Sequence, residues 1–418
     1  MALHQLNLKL EATDVRDALD QLDGRAQALI SRTIDWSRIN SGSYEPEGLR
    51  RMRDVLADAF AILPAEVFLE PLAPSLRIAK DGAAQNIDHV GALRMRARPN
   101  APIQVALTGH FDTVFPAAHP FQTPWEEGGR LRGPGVADMK GGLSVMLAAL
   151  EAFEATPGDK RVGYEVLLSP DEEIGSPASA PLLAELGARS QFGMVYEPAP
   201  DPRRLIGARK GSGNFSFVFR GQSAHVGREF AKGRNAVAAA ARAAAALDAL
   251  NGKQDGVTFN VAAIDGGGAL NTVPDLAVLR FNMRAPDPES AAWALAEIEA
   301  IADAASRTDG IAFERHGAFA RPPKPMSPAQ SKIAEWFGAA GAALGLELEF
   351  ASSGGVCEGN NLAAAGCPNI DTLGPVGGAL HTDQEYALPE TFAERAKLSY
   401  LLLHAVNTGA LDPRELAQ

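Results

Sequence analysis

A chain of 418 residues is longer than one hydrophobic core usually serves, so two domains are expected, one of which can interrupt the other. A hydrophobic fraction of 46% beside 22% charged residues excludes long disorder and a fibrous repeat. With 39 Lys+Arg against 51 Asp+Glu the net charge is −12, and no basic patch offsets it, which excludes nucleic acid and an anionic membrane surface as expected partners. Between about residues 12 and 62 apolar side chains recur at helical spacing, in VRDALDQLDGRAQALISRTIDW and LRRMRDVLADAFAIL, which predicts two helices. From about residue 101 short apolar runs end in polar residues: IQVALTGHFD, YEVLLSPDEE and FGMVYEP, three candidate buried strands. The apolar helix MKGGLSVMLAALEAFEA separates the first two, and a second helix at roughly 178–187 precedes the third, the order of an α/β sheet with covering helices. All three strands carry acidic or His residues at their C-terminal ends, the edge where open α/β sheets bind ligands.

Near residue 207 the pattern changes. The segments GNFSFVFRG, RNAVAAAARAAAALDAL, VTFNVAAIDGG, DLAVLRFNMRAP, PESAAWALAEIEAIADAAS and GIAFERHG follow a β-α-β-β-α-β order, the split βαβ unit of ferredoxin-like folds. The expected division is therefore an inserted α+β domain at 207–320 within a discontinuous catalytic domain of 1–206 and 321–418. After the insert, SPAQSKIAEWFGAAGAALG reads as a helix and NIDTLGP as a further strand of the first domain. The stretch MALHQLNLKLEATDVRDALDQL is broken by charges and lacks a signal-peptide core, and no run reaches the roughly 18 apolar residues that span a bilayer, so a cytoplasmic location is expected. Cys357 and Cys367 form no CxxC motif and read as unpaired.

The chemistry lies in His110, Asp112, Asp138, Glu172, Glu173, Glu197 and His381, set at the ends of the predicted strands and in one later loop. Each alone reads as a solvated loop residue. Together they bring like charges from several segments to one sheet edge, where they repel unless a cation neutralises them. Imidazole with carboxylate suits zinc, and one shared carboxylate suits a pair of ions about 3.5–4 Å apart. Three carboxylates and a bridging hydroxide balance the charge of two Zn ions and leave a further carboxylate to act as base. No GxxxxGK[ST] occurs, so the Gly-rich SSGGVCEG and LGPVGGALH read as loops that let backbone approach a substrate rather than as a phosphate cradle.

The segments GHFDTVF (109–115), GPGVADMKGG (133–142), SPDEEIGS (169–176), Glu197 of VYEPA, GQSAHVG (221–227) and GGALHTDQEY (377–386) resemble, in order, those of the M20 metallopeptidases, which include glutamate carboxypeptidases, acetylornithine deacetylase and succinyl-diaminopimelate desuccinylase. The resemblance implies a di-zinc hydrolase domain with a mixed sheet, interrupted by a ferredoxin-like lid and dimerisation domain, in a homodimer. It implies that His110, Asp138 and Glu197 hold one zinc and Asp138, Glu173 and His381 the other, with Co or Mn able to substitute. Glu172 becomes the general base and Asp112 the group that orients His110. A cis peptide is implied at Asp138–Met139. His225, which alone reads as a surface histidine, becomes an oxyanion donor to the partner subunit's site. Asn271 and Arg284 match positions that bind the substrate's carboxylate or carbonyl region, and Arg321 in FARPP is a further candidate for that contact. Glu rather than Asp at 197 fits the carboxypeptidase and deacylase branches. The implied substrate is a small peptide ending in glutamate or an N-acyl amino acid, with an N-carbamoyl amino acid amidohydrolase and a biosynthetic deacetylase or desuccinylase as alternatives. A catalytically silent binding or regulatory protein of the same fold is the alternative of another class, against which stands the presence of every metal ligand and the base.

Overall fold

The computed structural model describes residues 13–417; residues 1–12, which open the charged N-terminal stretch read above, and residue 418 lie outside the described residues. Where two helices are expected near the N-terminus there are three, Thr13–Gly24, Ala26–Ser37 and Pro46–Phe60. The first long periodic run divides at Gly24 and Arg25, glycine being a poor helix residue, and Arg25 leaves helical geometry at φ −97 and ψ 2. The third helix opens on Pro46, whose missing N–H would have no helical partner there anyway.

The main sheet has six strands in the spatial order Glu66–Glu70, Ala92–Ala97, Val162–Ser169, Ile103–His110, Phe192–Val195 and Asn369–Ile370. The last four run parallel, and the first two are antiparallel to their neighbours, so the sheet is mixed as expected. Val162–Ser169 is buried along its whole length, as a strand covered on both faces must be. The run NIDTLGP contributes only Asn369 and Ile370 to the sheet. Helix Lys140–Ala155 covers the sheet with helices Ala26–Ser37 and Thr391–Thr408, and their side chains join one core that includes Leu143, Met146, Leu150, Leu398 and Leu402. Both cysteines are buried and free. No helix among the described residues is long and apolar enough to cross a membrane.

A second, four-stranded antiparallel sheet has the order Thr258–Gly266, Leu276–Ala285, Gly211–Arg220 and Ala312–Arg321. Helices Ala236–Asp248 and Pro288–Ser306 pack on it, and the alanines of the first lie close against Phe215, Phe217 and Phe281 in a core of their own. Asn235 and Asp287 cap these helices by accepting the amides of Ala238 and Ser290. The expected boundary at 207 falls within the strand Arg204–Arg209, which pairs in parallel with Glu349–Ser353. Arg209 and Lys324 exchange backbone hydrogen bonds of 2.8 and 2.9 Å, so the chain enters and leaves the inserted unit side by side.

Under that crossing, buried Asp371 accepts both Arg209, at 2.8 and 2.6 Å, and Lys324, at 2.6 Å. Asp371→Ala strands two buried cations without their counter-charge and is expected to cost ~3–5 kcal/mol in urea unfolding. A loss under 1 kcal/mol would show that water reaches this network.

Candidate metal centre

His110 ends its strand with a side chain wholly out of solvent. Its Nδ1 faces Asp112, 3.2 Å from Oδ1 and 3.1 Å from the carbonyl. The Asp112 carboxylate also accepts the amides of Glu172 and Glu173, at 3.2 and 3.1 Å, and the hydroxyl of Ser43 at 2.7 Å. One carboxylate therefore orients the imidazole and fixes the turn that carries both glutamates.

Asp138 precedes helix Lys140–Ala155, and the Asp138–Met139 peptide is cis, as the resemblance implies. Glu385 Oε1 accepts the amides of Ala137 and Asp138 at 3.0 and 3.1 Å. The glycines of this region are steric necessities: a Cβ on Gly142 would lie 2.0 Å from the carbonyl oxygen of Tyr196, and one on Gly377 would lie 2.5 Å from Cβ of Ala137. Close approach of these backbones is what brings Glu197 and His381 to Asp138. His110 Nε2 lies 3.1 Å from Asp138 Oδ1 and 3.9 Å from Glu197 Oε1. His381 Nε2 lies 3.4 Å from Asp138 Oδ2 and 3.2 Å from Glu173 Oε2. Two groups of ligand atoms result, His110–Asp138–Glu197 and Asp138–Glu173–His381, each within 4.8 Å, and they share Asp138. The first is buried, whereas the His381 side chain is 56% exposed and marks the mouth.

The donor set fits divalent cations, and its electrostatics show why. Burial, followed by the charge of Asp138, pushes Glu173 up to about 8 and holds Glu197 well above the usual carboxylate range. Burial alone would lower His110, yet its hydrogen bonds to Asp112 and Asp138 carry it well above an ordinary imidazole. Hydrogen bonds to Asp138 and Glu173 push His381 up to about 11. Asp138 moves the other way, its burial outweighed by hydrogen bonds from the two histidines. Protons and metal thus compete for the same atoms. Because ligation needs neutral imidazole and ionised carboxylate, binding must expel protons, and affinity is expected to tighten as pH rises through about 8. Titration calorimetry in buffers of different ionisation heat measures the release; none at neutral pH would place the metal elsewhere.

Glu172 stands beside these groups without belonging to either. Its Oε1 lies 2.6 Å from Arg321 Nη1, and Arg321 Nη2 donates to the Glu172 carbonyl and to Ser176 Oγ, each at 2.8 Å. Arg321, expected to face substrate, is only 4% exposed and turned into this turn. Arg284 is half-buried and donates to the Gly354 carbonyl at 2.6 Å and to Asn282 Oδ1 at 3.2 Å. His225 and Asn271 are exposed on the inserted unit, where His225 Nδ1 accepts the Gly227 amide at 3.2 Å and the Asn271 carbonyl accepts that of Val226. The chain's own fold therefore gathers seven of the eleven expected residues at the sheet edge, with Arg321 tied to them, and leaves His225, Asn271 and Arg284 outside both metal groups.

Ser43, Glu385, Lys140 and Glu358 were not anticipated. Lys140 is buried, donates to the Ile39 carbonyl at 2.7 Å, and is pushed down to about 7 by burial. Glu358, buried against Ser169, is pushed up to about 8 by burial. Lys140 and Glu385 lie inside motif segments quoted above and could have been singled out as charges next to ligands; Glu358 lies in the Gly-rich SSGGVCEG, read there only as a loop, and Ser43 carries no such signal. A cavity of about 260 Å³ opens beside Glu173, lined by Ser43, Tyr44, Glu45, Val114, Pro116 and Ile174 among others.

Histidines and carboxylates gathered at the carboxyl ends of parallel strands, with a further acid beside them, define a metal-dependent hydrolase. The chain belongs to peptidase family M20/M25/M40, whose family model matches residues 106–405. It is 27% identical over 317 residues to a succinyl-diaminopimelate desuccinylase of Nitrosospira multiformis, covering 71% of this chain and 81% of that protein. Among solved structures it resembles a tripeptidase of Staphylococcus aureus, with a TM-score of 0.71, 22% identity and coverage of 92% of this chain and 99% of the other. An M20 family metallo-carboxypeptidase from Sulfolobus solfataricus gives a TM-score of 0.71 at 16% identity, covering 90% and 98%.

Proposed function

We propose that this protein is a di-zinc hydrolase that cleaves an amide bond whose leaving amine belongs to an amino acid with a free carboxylate. The observation that carries the reading is the pair of His and carboxylate groups sharing Asp138, with Glu172 beside them and outside both. Two zinc ions, or Co or Mn in their place, would be held by His110, Asp138 and Glu197 and by Asp138, Glu173 and His381, and would supply the Lewis acidity that activates water and polarises the substrate carbonyl. Asp112 holds the His110 ring in place. Glu172 takes the proton from the attacking water and returns it to the leaving nitrogen. Arg284 and Asn271 hold the carboxylate.

The inserted unit, expected at 207–320 and closed by the strand that ends at Arg321, forms in this reading the lid and dimerisation domain, and the residues on either side of it, expected as 1–206 with 321–418, the catalytic one. Thr258–Gly266 is an edge strand, and exposed Ile264, Leu270 and Phe230 lie on the same unit, an apolar edge suited to a second copy. His225, exposed and away from its own chain's metal groups, then serves the partner's site as oxyanion donor. Two free, buried cysteines fit a reducing cytoplasm.

The named relatives favour a desuccinylase as a second reading, and N-carbamoyl amino acids remain a further substrate class. The test is an activity screen of metal-reconstituted protein on peptides ending in glutamate and on N-acetyl, N-succinyl and N-carbamoyl amino acids, each beside its α-carboxamide. Hydrolysis confined to free carboxylates is expected. Turnover of the carboxamides at equal rate would remove the carboxylate requirement, and no turnover at all would favour a catalytically silent protein of this fold.

A further inference from the structure

The geometry points to Arg321 as the positioning residue of Glu172, through which the inserted unit sets the orientation of the base; this rests on Glu172 being that base. Arg321 is the last residue of the strand Ala312–Arg321 and pairs with Ser212 across the inserted sheet. From there its guanidinium makes three contacts with a single turn of the other unit. Nη1 meets the Glu172 carboxylate at 2.6 Å, while Nη2 donates to the Glu172 carbonyl and to Ser176 Oγ, each at 2.8 Å. The carbonyl contact fixes where the turn lies, and the carboxylate contact fixes where its side chain points. A planar fork holds main chain and side chain of one residue together, which an ammonium on a flexible stem does not reproduce.

The rest of the turn depends on the same anchor. Ser176 sits at φ 53, a left-handed conformation that costs free energy in a residue with a Cβ, and its hydroxyl is one of the three atoms Arg321 grips. Asp112, after strand Ile103–His110, accepts the amides of Glu172 and Glu173, and within the turn Asp171 Oδ2 accepts those of Ala178 and Ser179 at 2.7 and 3.1 Å. The turn is thus held from the sheet edge by Asp112, from within by Asp171 and from the inserted unit by one cation.

The same contacts remove Arg321 from substrate recognition. The side chain is 5% exposed, its two terminal nitrogens are committed, and Nε is buried without a partner. Around it stand the carboxyl groups of Glu172, Glu358 and Glu197. A substrate carboxylate would have to displace Glu172 to reach it. Arg284, half-buried and engaged with a carbonyl and an amide oxygen rather than a carboxylate, has a charge still unpaired and takes that role.

The test compares Arg321→Met and Arg321→Lys with Arg284→Met in zinc-loaded protein, and repeats Arg321→Met in a Glu172→Gln background. Arg321→Met is expected to retain metal and to lower kcat by roughly 30–300-fold with KM within about 3-fold, since a general base contributes on the order of 10²–10⁴. Arg321→Lys, which keeps the charge and is the milder change to the fold, is expected to lose more than about 10-fold in kcat. Combined with Glu172→Gln, Arg321→Met should cost almost nothing further, because two residues that act as a unit are not additive. The preference for a free carboxylate over its carboxamide should survive in Arg321→Met and collapse in Arg284→Met. Overturning results are a raised KM with loss of that preference in Arg321→Met or Arg321→Lys, or full additivity with Glu172→Gln. If Glu172→Gln alone has wild-type kcat, the base assignment falls; Arg321 variants that then still leave KM and the carboxylate preference intact show that Arg321 takes no part in binding substrate.

Discussion

Glu172→Gln is expected to bind the same amount of metal as the wild-type protein and to lose a factor of roughly 10²–10⁴ in kcat. The two halves of that result come from one placement. Glu172 is adjacent in sequence to Glu173, yet Glu173 lies 3.2 Å from His381 whereas Glu172 is turned to Arg321, outside both metal groups. Replacing its carboxylate by an amide keeps the shape and leaves the ligands intact, while the group that accepts and returns a proton is gone. Asp138→Ala is the contrasting variant. Both groups share that carboxylate, so both lose a ligand at once, and dialysed protein is expected to carry little metal and no activity. Metal analysis of dialysed samples beside steady-state rates checks the pair. A metal-free Glu172→Gln would show that Glu172 is a ligand and that the two glutamates must exchange roles.

Glu172→Ala and His225→Ala proteins, each nearly inactive alone, are expected to recover about a quarter of wild-type activity when denatured together and co-refolded. Random pairing makes about half the molecules heterodimers, and each heterodimer has one site with base and oxyanion donor intact while the other lacks both. The expectation follows from where the chain leaves His225: exposed, accepting only a local amide from Gly227, and absent from its own chain's metal groups. Separation of differently tagged subunits establishes that heterodimers form. Recovery absent in their presence would mean that His225 acts within its own subunit or takes no part in the reaction.

Three of the five candidate ligands were legible in the sequence because they end or closely follow buried strands, and an apolar run closed by a charge is readable in one dimension, whereas Asp138 and His381 lie in loops and gave no such pattern. His110, Glu173 and Glu197 were found that way, and the strand-helix-strand order placed them on one edge. The outer strands were harder. Ala92–Ala97 reads ALRMRA, and its arginines argue for solvent; in the fold Arg94 and Arg96 both bond buried Glu165 on the neighbouring strand, at 2.6 and 2.8 Å, a network, with Arg94 buried and Arg96 partly exposed, that periodicity cannot show. The inserted unit was legible from its alternation and alanine-rich helices. Its edge was less so, since residues 204–209 look like the strand that follows them but pair with a segment some 145 positions away, as non-local register often does. Arg321 illustrates the same limit. Its residue type suits an anion, and sequence alone does not say whether that anion arrives with substrate or belongs to the chain.

The paired crossing at Arg209 and Lys324 bears on how this architecture tolerates its own interruption. Inserting a long segment into a fold usually carries an entropic charge for holding its two ends together, growing slowly with the length enclosed. Here the ends are already joined by two backbone bonds and by a shared anion, Asp371, that belongs to the host rather than to the guest. These contacts offset part of the closure cost in the folded state, and since that cost grows only slowly with the length enclosed, the insert's length weighs little on the host. Inserts of different length can occupy that position at similar cost to the sheet below, provided that the strand ending at Arg321 and its contacts to Glu172 and Ser176 are kept.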